Sequence, residues 1–511
     1  MYRVLLYTVL CILPFLTGGC GTGHKNDSIQ GSFTHGVASG DPSREGVLIW
    51  TRFEPVDPLD SVDLQWEVSR DMGFQEVLAA GPTIVRSTDD FCTKVYVEGL
   101  SPGNTYYYRF RQGEILSKVG RTKTLPKETN KVRLAVVNCG KYEGGFFNVY
   151  DAISKMEDID AVIHLGDYIY EDGGGQKPYL PIIEKTGRKH VPTHDLVSLQ
   201  DYRTRYGQYR KDTMLQTLHE RYPMINIWDD HEFSNNAWQG GVSGKIGDLQ
   251  GGWDSDKWKE RVASALKAYD EWIPIHKKMG EPIYRSFEFG DLLHLAMLDT
   301  RLCCRTQQAS SIAAVDSIAA YAALLGDEQL DWLETSIVDT KTVWNLIGNQ
   351  VLVARRYLGE EEDSYISLDQ WTGYPKDRDS LLGFIKKHPE ENIVITTGNV
   401  HDAFHFELLD DPEEKDGKLI AHEFAPGSIS SGNTAVKKTR ENMLKDSADL
   451  VAKNPHLKWF DLVKHSFMVM EFTKDRARVD VYQVSTVYST DYSLDKVYSY
   501  DIQANEGSPR P

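Results

Sequence analysis

Between residues 131 and 401 one pattern recurs. A short run of consecutive apolar residues stops abruptly at polar ones, as in "VRLAVVNC", "AVIHLGD", "MINIWDD", "LLHLAMLDTR" and "NIVITTGNVHD". The runs are continuous, not alternating. A strand with one wet face would alternate, so these predict strands covered on both faces. The stretches between them, such as "NVYDAISKM", "WKERVASALKAYDEWI" and "DEQLDWLETSI", carry helical spacing. Strands covered on both sides by helices mean an α/β architecture. The stretch 173–198 has no clear periodicity and reads as a long loop over whatever the strands build.

Upstream the texture differs. "EGVLIWTRF", "VDLQWEVSR", "TKVYVEGL" and "NTYYYRFRQG" follow at strand spacing with turns between. That is the pattern of a fibronectin type III-like β-sandwich over residues 32–126. "TLPKETNK" is polar and reads as a linker into a second domain over 131–505. A chain of 511 residues is too long for one ordinary core, which agrees with two domains. At the N-terminus, Arg3 precedes the apolar run "VLLYTVLCILPFL" and then "TGGC". Residues 1–20 read as a Sec signal peptide. Cys20 resembles a bacterial lipoprotein cleavage site, with Thr17 where leucine is usual, and 21–31 would be the tether. The expected location is extracytoplasmic, in the periplasm or at the cell surface, with a lipid at Cys20 as the membrane link.

Four cysteines remain, Cys92, Cys139, Cys303 and Cys304, too few for a disulfide scaffold. Cys303 and Cys304 are adjacent, so they form either a strained vicinal bridge or pairs elsewhere. The net charge of −18 argues against nucleic acid or an anionic membrane as the main partner, because phosphate backbones need a basic face.

The ends of the apolar runs collect chemistry. One ends at Cys139. A second ends at Asp167, with Tyr170 close behind. A third ends at Asp229 and Asp230, followed by His231 and Glu232. A fourth ends at Asn399, with His401 two residues on. Ligands bind at the carboxyl ends of strands in open α/β sheets. Each end alone has a bland explanation: a small core thiol, a turn, a structural histidine. Together they make a poor core and a good metal cage. Converging carboxylates resist ionising together unless cations lie between them, and Asp167 could bridge two ions. Thiolate and phenolate from Cys139 and Tyr170 suit a strongly polarising transition metal. Carboxylate and amide oxygens suit Ca²⁺, Mg²⁺ or Mn²⁺. Such a site can bind a phosphoryl group and lower the pKa of water to ~7, giving a metal-activated hydroxide. His231 is placed to act as general acid or to hydrogen-bond the phosphoryl group. Tyr168 reads as packing. Glu171 and Asp172 are open between supporting the site and lying in a solvated loop. No "GxSxG" and no Walker loop occur.

The order "GDYIY", "DDHE", "GNVH" resembles the calcineurin-like metallophosphoesterases. With "HGVASGDPSREGVLIWTR", "NCGKYEGGFFNVYDAI", "WDDHEFSNN", "LDTR" and "HEFAPGSISSGN", nearly the whole mature chain resembles their alkaline phosphatase D family. The resemblance implies a metallophosphoesterase-type α/β sandwich behind the N-terminal module. It implies phosphodiesterase and alkaline phosphomonoesterase activity, in keeping with extracytoplasmic phosphate acquisition. It also implies a centre of one Fe³⁺ and two Ca²⁺. Cys139, Tyr170 and His401 would be on iron, Asp167 would bridge, and Asp230, Asp229 and Asn399 would complete the ligands. Two departures stand out. Asn399 replaces the family's usual aspartate. The Sec-type leader replaces a twin-arginine route, so metal is loaded outside the cytoplasm and Zn²⁺ or Mn²⁺ becomes an alternative. Competing readings are a phosphodiesterase directed at phospholipid, teichoic acid or nucleotide, and a surface-binding lipoprotein without catalysis, suggested by the sandwich and its aromatics. A purple acid phosphatase would need a His-x-His near the last strand, which "GNVH" and "HDAFH" do not supply.

Overall fold

The computed structural model describes residues 29–242, 255–277, 281–358, 367–410 and 417–505. The signal peptide, Cys20 and most of the 21–31 tether lie outside the described residues.

Every apolar run singled out above is a strand: Val132–Val137, Ala161–His164, Met224–Asn226, Leu293–Met297 and Ile393–Thr397. They divide between two sheets. The first three lie side by side and parallel at the centre of a nine-stranded sheet. The others lie parallel about Trp344–Asn349 in a seven-stranded sheet. Antiparallel strands finish the edges, among them Ser466–Phe472, Arg476–Val484 and Leu494–Gln503. The reason for continuous apolar runs is visible in the second sheet. Leu293, Leu295 and Met297 join one core with Leu134 and Val136 of the first sheet. Ala296, Leu298, Ile347 and Ile395 join a separate core with Leu333 and Leu381 of the helices Gly326–Asp339 and Pro375–Lys387. Successive side chains thus enter different apolar layers.

The N-terminal segment is a sandwich. Ser61–Ser69, Val77–Arg86, Thr105–Gln112 and Gly120–Lys123 form one sheet. Val37–Gly40, Gly46–Arg52 and Cys92–Glu98 form the other. Val37, Val47 and Ile49 pack against Tyr106, Tyr108 and Phe110 between them. Those aromatics are fully buried. They fill a core and form no display for binding a surface. The sandwich is also not closed off, which the linker reading did not anticipate. Val37–Gly40 pairs in parallel with Met224–Asn226 through Gly40 and Met224, so its second sheet continues into the parallel strands of the nine-stranded sheet. A side chain at residue 40 would meet the Pro274 carbonyl at 2.2 Å, so only glycine allows that approach. The Trp50 indole donates to the Glu271 carbonyl at 2.7 Å, tying the sandwich to the helix Ser255–Trp272.

The 173–198 stretch is a loop with one interruption. A helix, Leu180–Thr186, forms within it. Fully buried Arg205 anchors the loop through the carbonyls of Tyr170, Asp172, Val191 and Pro192.

The two sheets also meet through histidines. His405 Nε2 lies 3.0 Å from His422 Nδ1, and His405 Nδ1 lies 2.8 Å from the Tyr498 hydroxyl of the other sheet. Burial pulls His405 to about 3 and His422 to about 4. Both are neutral when folded, whereas the unfolded chain protonates them near 6.5. Stability is therefore complete above about pH 6.5 and falls as pH drops toward 4. The expected loss is about 1.4 kcal/mol per pH unit for each such histidine. Urea midpoints at pH 7 and 4.5 should show it, with a shallower pH dependence in His422→Gln. An identical pH dependence in that variant would remove the pair from the account.

Candidate metal centre at the strand ends

Sharp, locked turns present the donors. Cys139, Asp167 and Asn399 each follow a strand, and each holds a left-handed backbone, with φ of 58°, 56° and 59°. Such a conformation costs a residue with a side chain about 1 kcal/mol or more. The turns support one another. Cys139 N donates to the Gly166 carbonyl at 3.2 Å, and Gly140 N to the Asp167 carbonyl at 2.9 Å. At Gly166, with φ of 100°, a side chain would sit 2.4 Å from Asp229 Cβ. Buried Glu232 joins two loops by accepting from the amides of Asp167 at 2.9 Å, Tyr168 at 2.5 Å and Asp229 at 2.7 Å.

Asp167 lies at the centre. Its Oδ2 is 3.2 Å from Cys139 Sγ and 3.1 Å from the Tyr170 hydroxyl, which is 3.2 Å from His401 Nε2. Its Oδ1 accepts from the His231 amide at 3.1 Å. Two donor groups share it: Cys139, Asp167 and His401 on one side, and Asp167, Asp230 and His231 on the other, each with donor atoms within 4.8 Å of one another. Asp229 and Asp230 are buried beside them. Asp229 Oδ1 meets fully buried Arg301 at 2.5 Å, and Asp230 Oδ2 accepts from the Asn236 amide at 2.6 Å. The other oxygen of each carboxylate, Asp229 Oδ2 and Asp230 Oδ1, is buried without a hydrogen-bond partner.

The electrostatics agree with a missing positive charge. Burial pushes Asp167 well above the usual carboxylate range, and Asp230, Asp229 and Glu232 add to it, with His231 opposing. Burial likewise raises the Cys139 thiol and the Tyr170 phenol, with Asp167 adding to both. Asp229 rises to about 7 through burial, against Arg301. Burial holds His401 well below 6.5, as an imidazole ligand requires. Thiol, phenol and bridging carboxyl all keep their protons unless a cation replaces them, and two carboxylate oxygens lack any partner. These residues fit a metal centre of more than one ion.

Several supporting residues were not singled out in the sequence. Arg301 binds Asp369 with two bonds, at 2.9 and 3.0 Å, as well as Asp229. Asp369 accepts from the Asn399 amide nitrogen at 3.1 Å. That leaves the Asn399 oxygen as its free donor atom. An aspartate at 399 would set two carboxylates at that distance, which explains why the amide is tolerated here. Lys141 is buried, pairs with Asp172, and lies 4.9 Å from the Tyr170 ring centre. Glu171 resolves as part of the site: its carboxylate meets His231 Nδ1 at 2.6 Å. Asp172 belongs to a third group with Glu143 and His190, which holds the covering loop through the His190 and Gly175 amides. Tyr168 is buried and bonds His219, as packing predicts. "LDTR" and "NCGK" carried the signal for Arg301 and Lys141, but charge alone does not reveal a buried partner. Cys303 and Cys304 are free thiols with their sulfurs 3.3 Å apart.

Arg301 is the direct ion-pair partner of two buried carboxylates, Asp229 and Asp369, the second shared with Arg305 at 2.6 Å, so Arg301→Met removes counter-charge from both and leaves Asp229 without any. The expected loss is about 3–5 kcal/mol in urea denaturation. A loss below about 1 kcal/mol, the range of an exposed pair, would show that Arg301 is not their counter-charge.

The PhoD-like phosphatase family pattern matches residues 134–481, and that of the PhoD-like phosphatase N-terminal domain matches residues 19–126. The chain is 33% identical to alkaline phosphatase D of Bacillus subtilis (strain 168), over 92% of this chain and 83% of that protein. A solved structure described as "Structure of PhoD" superposes with a TM-score of 0.83 at 31% identity, covering 93% of this chain and 90% of that one. The chain belongs to the PhoD-like phosphatase family, and it is a phosphoric ester hydrolase.

Proposed function

We propose that Cys139, Tyr170 and His401 would hold Fe³⁺, that Asp230, Asp229 and Asn399 would hold Ca²⁺, and that Asp167 would serve both donor groups, in a phosphodiesterase and alkaline phosphomonoesterase. The observation that carries this is the two-sided position of Asp167, one oxygen toward the thiol and phenol and the other toward the Asp230–His231 turn. The split follows ligand hardness. Thiolate and phenolate favour the polarising ion, and oxygen donors favour the hard one. Zn²⁺ or Mn²⁺ is the alternative on the thiolate side. When bound, the ions would offset phosphoryl charge and bring a water to a pKa of ~7.

The chain itself supplies proton transfer and orientation. Glu171 holds His231 Nδ1 and also accepts from the Asn235 amide at 2.8 Å. The ring stacks against Tyr170 with centres 4.1 Å apart. Nε2 is then the ring nitrogen left to face substrate, and the His231 side chain is 15% exposed among almost wholly buried neighbours. His231 gives its proton to the departing oxygen of the ester.

Elemental analysis beside bis(p-nitrophenyl) phosphate turnover tests the core claim. Fe³⁺ on thiolate or phenolate gives a visible charge-transfer band, and Tyr170→Phe should weaken or shift it. An unchanged band would take Tyr170 off the metal. His231→Gln should lower kcat by about 10²–10⁴-fold for alkyl esters. The loss should be much smaller for p-nitrophenyl esters, whose leaving group needs no proton. Equal losses on both would rule out the acid role.

A further inference from the structure

Asn399 and His401 also form one wall of a cavity of about 280 Å³, with Arg356 and Lys437 among its other lining residues and Phe404 and Leu450 beneath. Its charges do not balance locally. Asp402 accepts from the Thr434 amide at 2.9 Å and the Thr434 hydroxyl at 2.7 Å. Asp446 pairs with Lys438 at 2.5 Å. Asp446 is thus matched by Lys438, whereas Asp402, held by neutral donors, keeps a charge that acts on both Arg356 and Lys437.

Arg356 and Lys437 share that one carboxylate without a direct ion pair to it, so the lining, with Arg356, Lys437 and Lys438 against Asp402 and Asp446, carries an excess positive charge. The Arg356 guanidinium lies over the Phe404 ring, 5.3 Å from its centre. Among the described residues it has no hydrogen bond or salt bridge. Lys437 Nζ is 2.9 Å from His401 Nδ1, but that nitrogen is also 2.8 Å from the Gly432 carbonyl. A carbonyl only accepts, so Nδ1 carries the proton and offers Lys437 no acceptor. This is also the tautomer that leaves Nε2 free for a metal.

We propose that this cavity is a subsite for a second phosphoryl group carried by the leaving alcohol of the substrate, with Arg356 as its specificity-determining residue. The inference rests on the phosphoester hydrolase reading of the adjoining centre. A substrate phosphoryl group at the donor loops would have its ester oxygen directed past Asn399 and His401 into the cavity. A short carbon chain would lie along Phe404 and Leu450. The planar fork of Arg356 can take two oxygens of a phosphate at once, and stacking on an aromatic ring leaves its N–H edge free to do so. Lys437 adds charge without that directional preference. The preferred substrates are then esters of small alcohols bearing a second phosphate, over esters of neutral alcohols.

The test compares 1,3-propanediol bisphosphate with propyl phosphate on the metal-loaded full chain. They differ only in the second phosphate. After correction for two equivalent esters, wild-type kcat/KM should favour the bisphosphate by about tenfold or more, the value of a charge-assisted contact. The preference should shrink at about 0.5 M salt. Arg356→Gln should bring the corrected ratio close to one, and Arg356→Lys should restore part of it. A corrected wild-type ratio near one, or a ratio unchanged in Arg356→Gln, overturns the subsite while leaving the hydrolase reading in place. Failure to hydrolyse either ester overturns the subsite, and failure on bis(p-nitrophenyl) phosphate as well overturns the hydrolase reading with it.

Discussion

Buried negative charge is the constraint on which this structure turns. Asp167, Asp229, Asp230 and Glu232 are buried at or just beyond strand ends, and Asp369 is buried on a loop that meets them through Arg301. No arrangement of apolar packing can stabilise them, because a charge removed from water needs an explicit partner. The chain provides partners for some. Backbone amides take Glu232, and Arg301 takes Asp369 and one oxygen of Asp229. Asp167 and the unpartnered oxygens of Asp229 and Asp230 remain. The protein's own cations and the metal ions therefore divide one electrostatic task, and the part left undone by the arginine marks where the ions belong.

Rigidity comes from the same place. Three donors occupy backbone conformations that glycine would adopt more easily, yet glycine carries no donor atom. The strain is offset because the turns hydrogen-bond to one another and each is fixed to a buried strand. A donor on a locked turn at the end of a buried strand has little freedom to relax when the ion departs.

Much of this could be read in the sequence. Continuous apolar runs forecast strands buried on both faces, and each run did become one. Cys139, Asp167, Tyr170, Asp230, His231, Asn399 and His401 do collect in one place, because strand ends in an α/β sheet converge whatever lies between them. Other features were not legible for identifiable reasons. Arg301 and Asp369 sit on separate loops, and nothing local announces that they meet. Glu171 differs from an ordinary loop acid only through its bond to His231. The helix Leu180–Thr186 is short and held by tertiary contacts, so it leaves no periodic trace. The close approach that joins the N-terminal sandwich to the nine-stranded sheet is made at one glycine, Gly40, and in sequence a glycine at a strand end looks like any other.

That fusion changes how the chain must assemble. Residue 40 pairs with Leu48 on one side, but on the other side its partner is residue 224. A segment that looks in sequence like an independent leading module therefore ends with an open edge that the rest of the polypeptide has to close. Synthesised N-terminus first, such a chain would present this unpaired edge to solvent until Met224 emerged. The arrangement leaves an edge open to wrong pairing until two segments meet that belong to different domains by every local criterion.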